Sequence, residues 1–151
     1  MTHSIQRAVT DEEILSCHPI LSELRSHIPA SDLVPAVRRM EKEGYRLAFL
    51  SDSGKVQAVA GYRMIEMLRT GKMLEVDDLV TASETRSKGY GSVLLRWIFQ
   101  EARENQCRFV ELDSAVHRAD AHRFYFRERM HVLGFHFSVA MDTLPAWPEP
   151  R

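Results

Sequence analysis

The residues best suited to chemistry lie in one short run, Arg86-Ser87-Lys88-Gly89-Tyr90-Gly91, followed by Ser92 and an amphipathic stretch. Glycines let the backbone turn tightly and approach a ligand with no Cβ in the way. The first amides of a helix lack internal partners and carry partial positive charge. Main-chain N–H groups of Ser87–Ser92, with Arg86 and Lys88 adding formal charge, therefore suit a phosphate or pyrophosphate. The run is not a Gly-x-x-x-x-Gly-Lys-Ser/Thr loop, and it lacks the third glycine of a dinucleotide fingerprint. Upstream, Glu75, Asp77 and Asp78 supply carboxylates. Strand alternation would put Glu75 and Asp77 on one face and Asp78 on the other. Such carboxylates are candidates for general acid–base work. Downstream, Tyr125 carries a phenol, an acid with an ordinary pKa of about 10. His3, His18, His27, His131 and His136 show no ligand spacing, so no metal is expected; His117 and His122 are of a type suited to act as base near neutrality, though a helix-surface histidine is more often solvated or structural. Cys17 and Cys107 show none either, and nothing nearby marks Cys107 as an activated nucleophile.

These groups need elements to hold them. Ser4–Val9 reads as an opening strand, and Asp11-Glu12-Glu13 start a helix that runs to about His27, interrupted or bent near Pro19. Ser31-Asp32 starts a second helix, with Pro35 in its first turn and Gly44 as its stop. Tyr45–Leu50, Val56–Leu68 and Met73–Thr81 are rich in β-formers and joined by tight turns, hence antiparallel. A helix follows from Ser92 to about Asn105, with Leu94, Leu95, Ile98 and Ala102 on one face. Cys107–Asp113 is a further strand, a helix carries Ala121 to Glu128, and His131–Met141 is expected to close the sheet. Residues 1–143 read as one α/β domain: a mostly antiparallel sheet of about six to seven strands with about four helices. The proline-bearing 144–151 reads as an irregular tail.

In this order the segment Asp77–Thr81 and the turn Arg86–Gly91 resemble the Arg/Gln-x-x-Gly-x-Gly/Ala signature of the GNAT superfamily of N-acetyltransferases. Ala121-His122-Arg123-Phe124-Tyr125 resembles that family's Ala-x-x-Phe/Leu-Tyr helix. The resemblance covers Ser4–Met141. It implies that acetyl-CoA is the co-substrate, with its pyrophosphate on Arg86–Ser92. It also implies that Leu79, Val80 and Thr81 offer backbone groups to the pantetheine arm and that Tyr125 is the general acid. Asp77 is the first candidate for the base and Glu75 the second. Arg118 stands seven residues before Tyr125, where many members carry asparagine; it could reach a CoA phosphate instead. The implied reaction is direct transfer of acetyl to an amine of a small molecule or peptide, in a protein that could pair as a homodimer.

Bulk properties narrow the field. With 151 residues, 44% hydrophobic and 27% charged, the chain matches a single globular domain. A net charge of −1 argues against a nucleic-acid partner. No apolar run is long enough for a membrane span, and a cytoplasmic location is expected. Two other functions compete: a non-catalytic acyl-CoA-binding module, and a dinucleotide oxidoreductase, which the hairpin strands ahead of the turn disfavour. The carboxylates Glu66, Glu75, Asp77, Asp78, Glu111 and Asp113 suggest steering of a cationic acceptor.

Overall fold

Thr10 starts the first helix. Its hydroxyl accepts the Glu13 N–H at 3.1 Å while the Glu13 carboxylate accepts the Thr10 N–H at 3.0 Å, a capping box. The computed structural model describes residues 2–147. Its elements are β1 (His3–Arg7), α1 (Asp11–Ser16), α2 (His18–Leu24), α3 (Ala30–Glu41), β2 (Arg46–Asp52), β3 (Lys55–Met67) and β4 (Gly71–Thr81). A 3₁₀ turn (Ser83–Lys88), α4 (Tyr90–Glu104), β5 (Phe109–Leu112) and α5 (Ala119–Arg127) follow. The chain divides into two compact units, one ending at Leu112 and the other beginning at Asp113.

The first unit holds a five-stranded sheet in the order β1-β2-β3-β4-β5. The first three pairings are antiparallel, and β4–β5 is parallel. A parallel neighbour requires a crossover, and α4 is that crossover. Ser53 and Gly54, at φ +53° and +77°, form the two-residue turn between β2 and β3, the twist that suits a hairpin. Tyr45, Leu47, Phe49, Val59 and Val80 are buried with Ile14, Cys17, Leu21, Leu33 and Val37, so α1–α3 cover one face of the sheet. Residues of the other parity, Ala48, Leu50, Ala58, Ala60 and Tyr62, are buried as well. On that face Tyr62 meets Trp97 of α4 edge-on at 6.2 Å, and Leu94, Leu95 and Ile98 are fully buried. Truncating one of these to alanine would cost about 2–5 kcal/mol.

Several boundaries differ from expectation. Near Pro19 the expected interruption is a break between α1 and α2, since proline at the start of a helix forfeits only an N–H that lacks a partner anyway, but α2 stops at Leu24 rather than His27. Helix α3 begins at Ala30, earlier than Ser31-Asp32, so Pro35 stands inside it and removes one bond. At its end Tyr45 N–H reaches Met40 O at 3.1 Å, and Gly44 takes φ +89°. Helix α4 starts at Tyr90 rather than Ser92.

The second unit contains α5 and a long irregular segment. His131–Met141 does not close the sheet, so among the described residues there are five strands, not six to seven. Leu133, Phe135, Phe137, Val139 and Met141 alternate as a strand would, yet all are exposed. Alternation gives a segment a face; only a neighbouring edge gives it ladder bonds, and this segment has none among the described residues. Residues 144–147 are irregular, as expected of the tail; 148–151 lie outside the described residues. Among the described residues no helix is long and apolar enough to cross a membrane.

Candidate active site

Strand β4 is interrupted where its carboxylates begin. Gly61 of β3 pairs with Asp78, but Tyr62 pairs with Val76, so Asp77 is an extra residue, a bulge. Beyond the same point β4 loses its other neighbour: its pairing with β5 runs from Met73 to Val76 and stops. From Asp78 to Thr81 the strand stays paired to β3 on one side and, among the described residues, presents an open edge on the other. That edge carries Leu79, Val80 and Thr81; Val80 also packs its side chain into the core.

The open edge leads into the glycine turn. Its front is pinned: the Glu23 carboxylate accepts from Ser83 N–H at 3.2 Å and from Ser83 Oγ at 2.6 Å, and Thr85 Oγ1 donates to Gln57 Oε1 at 2.9 Å. Its rear is open. Gly89, at φ +81°, is the N-cap of α4 with no side-chain capping bond, and nothing lies within 4 Å of where its Cβ would be. The Val93 N–H reaches Gly89 O at 3.1 Å and closes the first turn of α4. Ser87, Lys88 and Arg86 are exposed, and neither cation forms an ion pair among the described residues. Tyr90 turns its ring inward and donates to Asp52 Oδ2 at 2.5 Å, which anchors the helix start to the β2–β3 hairpin. Only its main chain is left to face a ligand. Gly91 and Ser92 complete the first turn of α4.

The bulge brings both aspartates to one place. Asp77 and Asp78 line the same cavity, about 370 Å³, whose far wall is Leu21 and Ile28 with Leu33, Val37 and Met40 of α3. The expected alternation, with Asp78 on the opposite face, fails because an inserted residue resets the pleat. Glu75 lies outside the cavity lining, although its charge acts on Arg63. Each cavity aspartate has an arginine. Arg63 donates from Nε and Nη2 to Asp77 Oδ2, at 2.9 and 2.6 Å. Arg25 donates from Nε to Asp78 Oδ1 at 2.8 Å and from Nη2 to Asp77 O at 3.1 Å. The Tyr45 hydroxyl donates to Asp78 Oδ2 at 2.8 Å. Burial first, and the Asp78 charge second, push the Tyr45 phenol far above its ordinary value, so it acts as a donor only. Asp78 has thus committed both oxygens, whereas Asp77 has committed one. Glu111 is likewise held by Arg69 at 2.7 Å, which lowers its pKa.

In the second unit, burial raises the pKa of Tyr125, with the charge of Arg118 opposing that rise. The phenol is protonated at neutral pH. Arg118 occupies the N-cap of α5, and its carbonyl accepts the His122 N–H at 3.1 Å. The His122 ring bonds to Ala115 O at 2.9 Å, a structural use of the imidazole. Ser114 Oγ is buried with no hydrogen-bond partner.

Sequence reasoning did not single out Glu23, Arg25, Tyr45, Gly61, Arg63 or Ser114. Gly61 alone carried a local signal, a glycine inside a strand, which marks a bulge or a close approach. Here a Cβ would fall 1.8 Å from Tyr45 Oη and 2.6 Å from Asp78 Oδ2.

Known proteins resemble this chain along most of its length. An uncharacterized N-acetyltransferase of Bacillus subtilis, YhdJ, is 36% identical over 125 residues, 80% of this chain and 86% of that protein. The aminoalkylphosphonate N-acetyltransferase of Salmonella typhimurium is 33% identical over 97 residues, 64% of this chain and 62% of that protein. The crystal structure of the aminoglycoside N-acetyltransferase AAC(6′)-Iy in complex with CoA shares the fold, with a TM-score of 0.80 at 8% identity, over 91% of this chain and 93% of that one. The acetyltransferase (GNAT) family profile matches residues 12–131. The chain belongs to the GNAT acetyltransferase family and is an acyltransferase.

Proposed function

We propose that this protein transfers the acetyl group of acetyl-CoA directly to a primary amine of a small molecule or peptide, both substrates being bound together. The observation that carries the reading is the parting of β4 from β5 at Val76, which leaves an open edge running toward the uncapped start of α4. As co-substrate, acetyl-CoA supplies acetyl activated as a thioester. An open edge can pair with the amides of a pantetheine arm as an added strand would; Leu79, Val80 and Thr81 are the residues proposed for it. The main-chain amides of Ser87, Lys88, Gly89, Tyr90, Gly91 and Ser92, with the Arg86 side chain, are proposed to hold the pyrophosphate. Arg118 is proposed for a CoA phosphate, where its charge also favours ionisation of Tyr125.

The amine acceptor occupies the cavity walled by α2 and α3. Asp77, with Oδ1 uncommitted, orients the amine and takes its proton directly or through water; Glu75, outside the cavity, is the second candidate. The nitrogen bonds the acetyl carbon, main-chain donors stabilise the oxyanion, the C–S bond breaks, and Tyr125 protonates the thiolate. The name of the Salmonella relative supports a small amine as acceptor. The family match spans both units and supports reading residues 1–143 as one domain. The exposed alternation of 133–141 supports a homodimer in which that segment finds a strand neighbour.

The test is release of free CoA thiol across a panel of amines, with the products identified by mass. Acetylated amine is expected, and Tyr125→Phe is expected to lower kcat by about 10²-fold with little change in the KM for acetyl-CoA. CoA binding without turnover of any amine would reduce the protein to an acyl-CoA-binding module.

A further inference from the structure

Three of the carboxylates expected to steer a cationic acceptor are ion-paired: Asp77 with Arg63, Asp78 with Arg25, and Glu111 with Arg69. At these three the negative charge is offset at close range by arginines distant in the chain. His18 and His27 also line the cavity, and within the aspartate–arginine network two polar positions remain unspent. Asp77 Oδ1 accepts no hydrogen bond, and Arg25 Nη1 donates none, among the described residues. They belong to one connected group, because Arg25 Nη2 donates to the carbonyl of Asp77 itself. Both residues line the cavity, and the remaining wall is largely apolar.

We infer that the amine acceptor is a small zwitterion: its amine goes to Asp77, and a carboxylate, phosphonate or similar oxyanion on a short linker goes to Arg25. This rests on the transferase reading and specifies its substrate. An acceptor with an amine alone would strip water from the Arg25 guanidinium and return no acceptor for it, a penalty worth roughly tenfold to a hundredfold in affinity. A diamine would add a cation beside one. A zwitterion satisfies both positions and leaves the site neutral, as the paired residues already are. A cavity of about 370 Å³ accommodates a small molecule and falls at the lower end of ordinary ligand pockets. Arg25 is thus a specificity residue, and guanidinium geometry suits either oxyanion.

The experiment compares β-alanine and aminoethylphosphonate with propylamine and cadaverine, by kcat/KM and by the shift each gives in thermal unfolding. The anion-bearing amines are expected to be preferred by roughly tenfold or more and to raise the unfolding temperature. Comparing them with each other separates carboxylate from phosphonate. Arg25→Gln is expected to erase the preference, chiefly through the acceptor KM, and to abolish the thermal shift; Arg25→Lys should restore part of both. Equal turnover of all four amines, or an Arg25→Gln defect that falls on all four alike, overturns the inference and leaves the transferase reading standing. Selective stabilisation by the zwitterions without turnover does the reverse.

Discussion

Asp77 and Asp78 are neighbours in sequence and share a cavity, yet their surroundings assign them different work. Asp78 is held at both oxygens by Tyr45 and Arg25 and fixes the strand. Asp77 has one oxygen that accepts no hydrogen bond among the described residues, the one proposed for the substrate. Asp77→Asn is therefore expected to lower kcat/KM by about 10²-fold, with the unfolding temperature checked alongside because Arg63 loses its partner. The pH profile tests the acid. Burial raises Tyr125, so the phenol keeps its proton below its ordinary value of about 10 and loses it only above. Activity should accordingly rise with pH as the amine loses its proton, without a fall below about pH 10. A descending limb near pH 8 that vanishes in Tyr125→Phe would contradict this. The glycine turn and the helix that carries Tyr125 were legible in the sequence because each lies in a short local pattern. Arg25 and Arg63 were not, because their roles come from contacts across 53 and 14 residues.

At the scale of elements, one inserted residue decides the site. Strands β2, β3 and β4 were readable from β-formers and turns, and α4 from its apolar stripe. The bulge was not, since Glu75, Asp77 and Asp78 look like regular alternation until the partner strand is known. Its hidden requirement is Gly61, which makes room for Tyr45 and Asp78. Gly61→Ala is expected to destabilise by about 1–3 kcal/mol, measured by thermal or denaturant unfolding, and to lower activity. Tyr45→Phe in that background removes the atom at 1.8 Å but leaves a ring carbon at 2.5 Å, so it should rescue only part. Full recovery, or no loss in Gly61→Ala, would show that the strands can shift freely. The segment His131–Met141 misled in the opposite way: its pattern was visible, and its partner was not.

At the scale of the whole molecule, the sequence identified the layered α/β fold and the crossover, because both follow from the order of helix-like and strand-like periods. It could not show how the acceptor wall and the anion turn are joined. Helix α2 supplies that joint: Glu23 near its end holds Ser83, and Arg25, its C-cap, holds the bulge. Ligands at the proposed acceptor cavity and at the proposed anion turn would both bear on this one helix. Their affinities are then thermodynamically linked, and the linkage is reciprocal. CoA should tighten the acceptor by the same factor as the acceptor tightens CoA, roughly 5-fold or more as calorimetry reads it, and Glu23→Ala should bring that factor toward unity. Order of addition would then cease to matter, and a protein that greets its substrates as a pair would meet them as strangers.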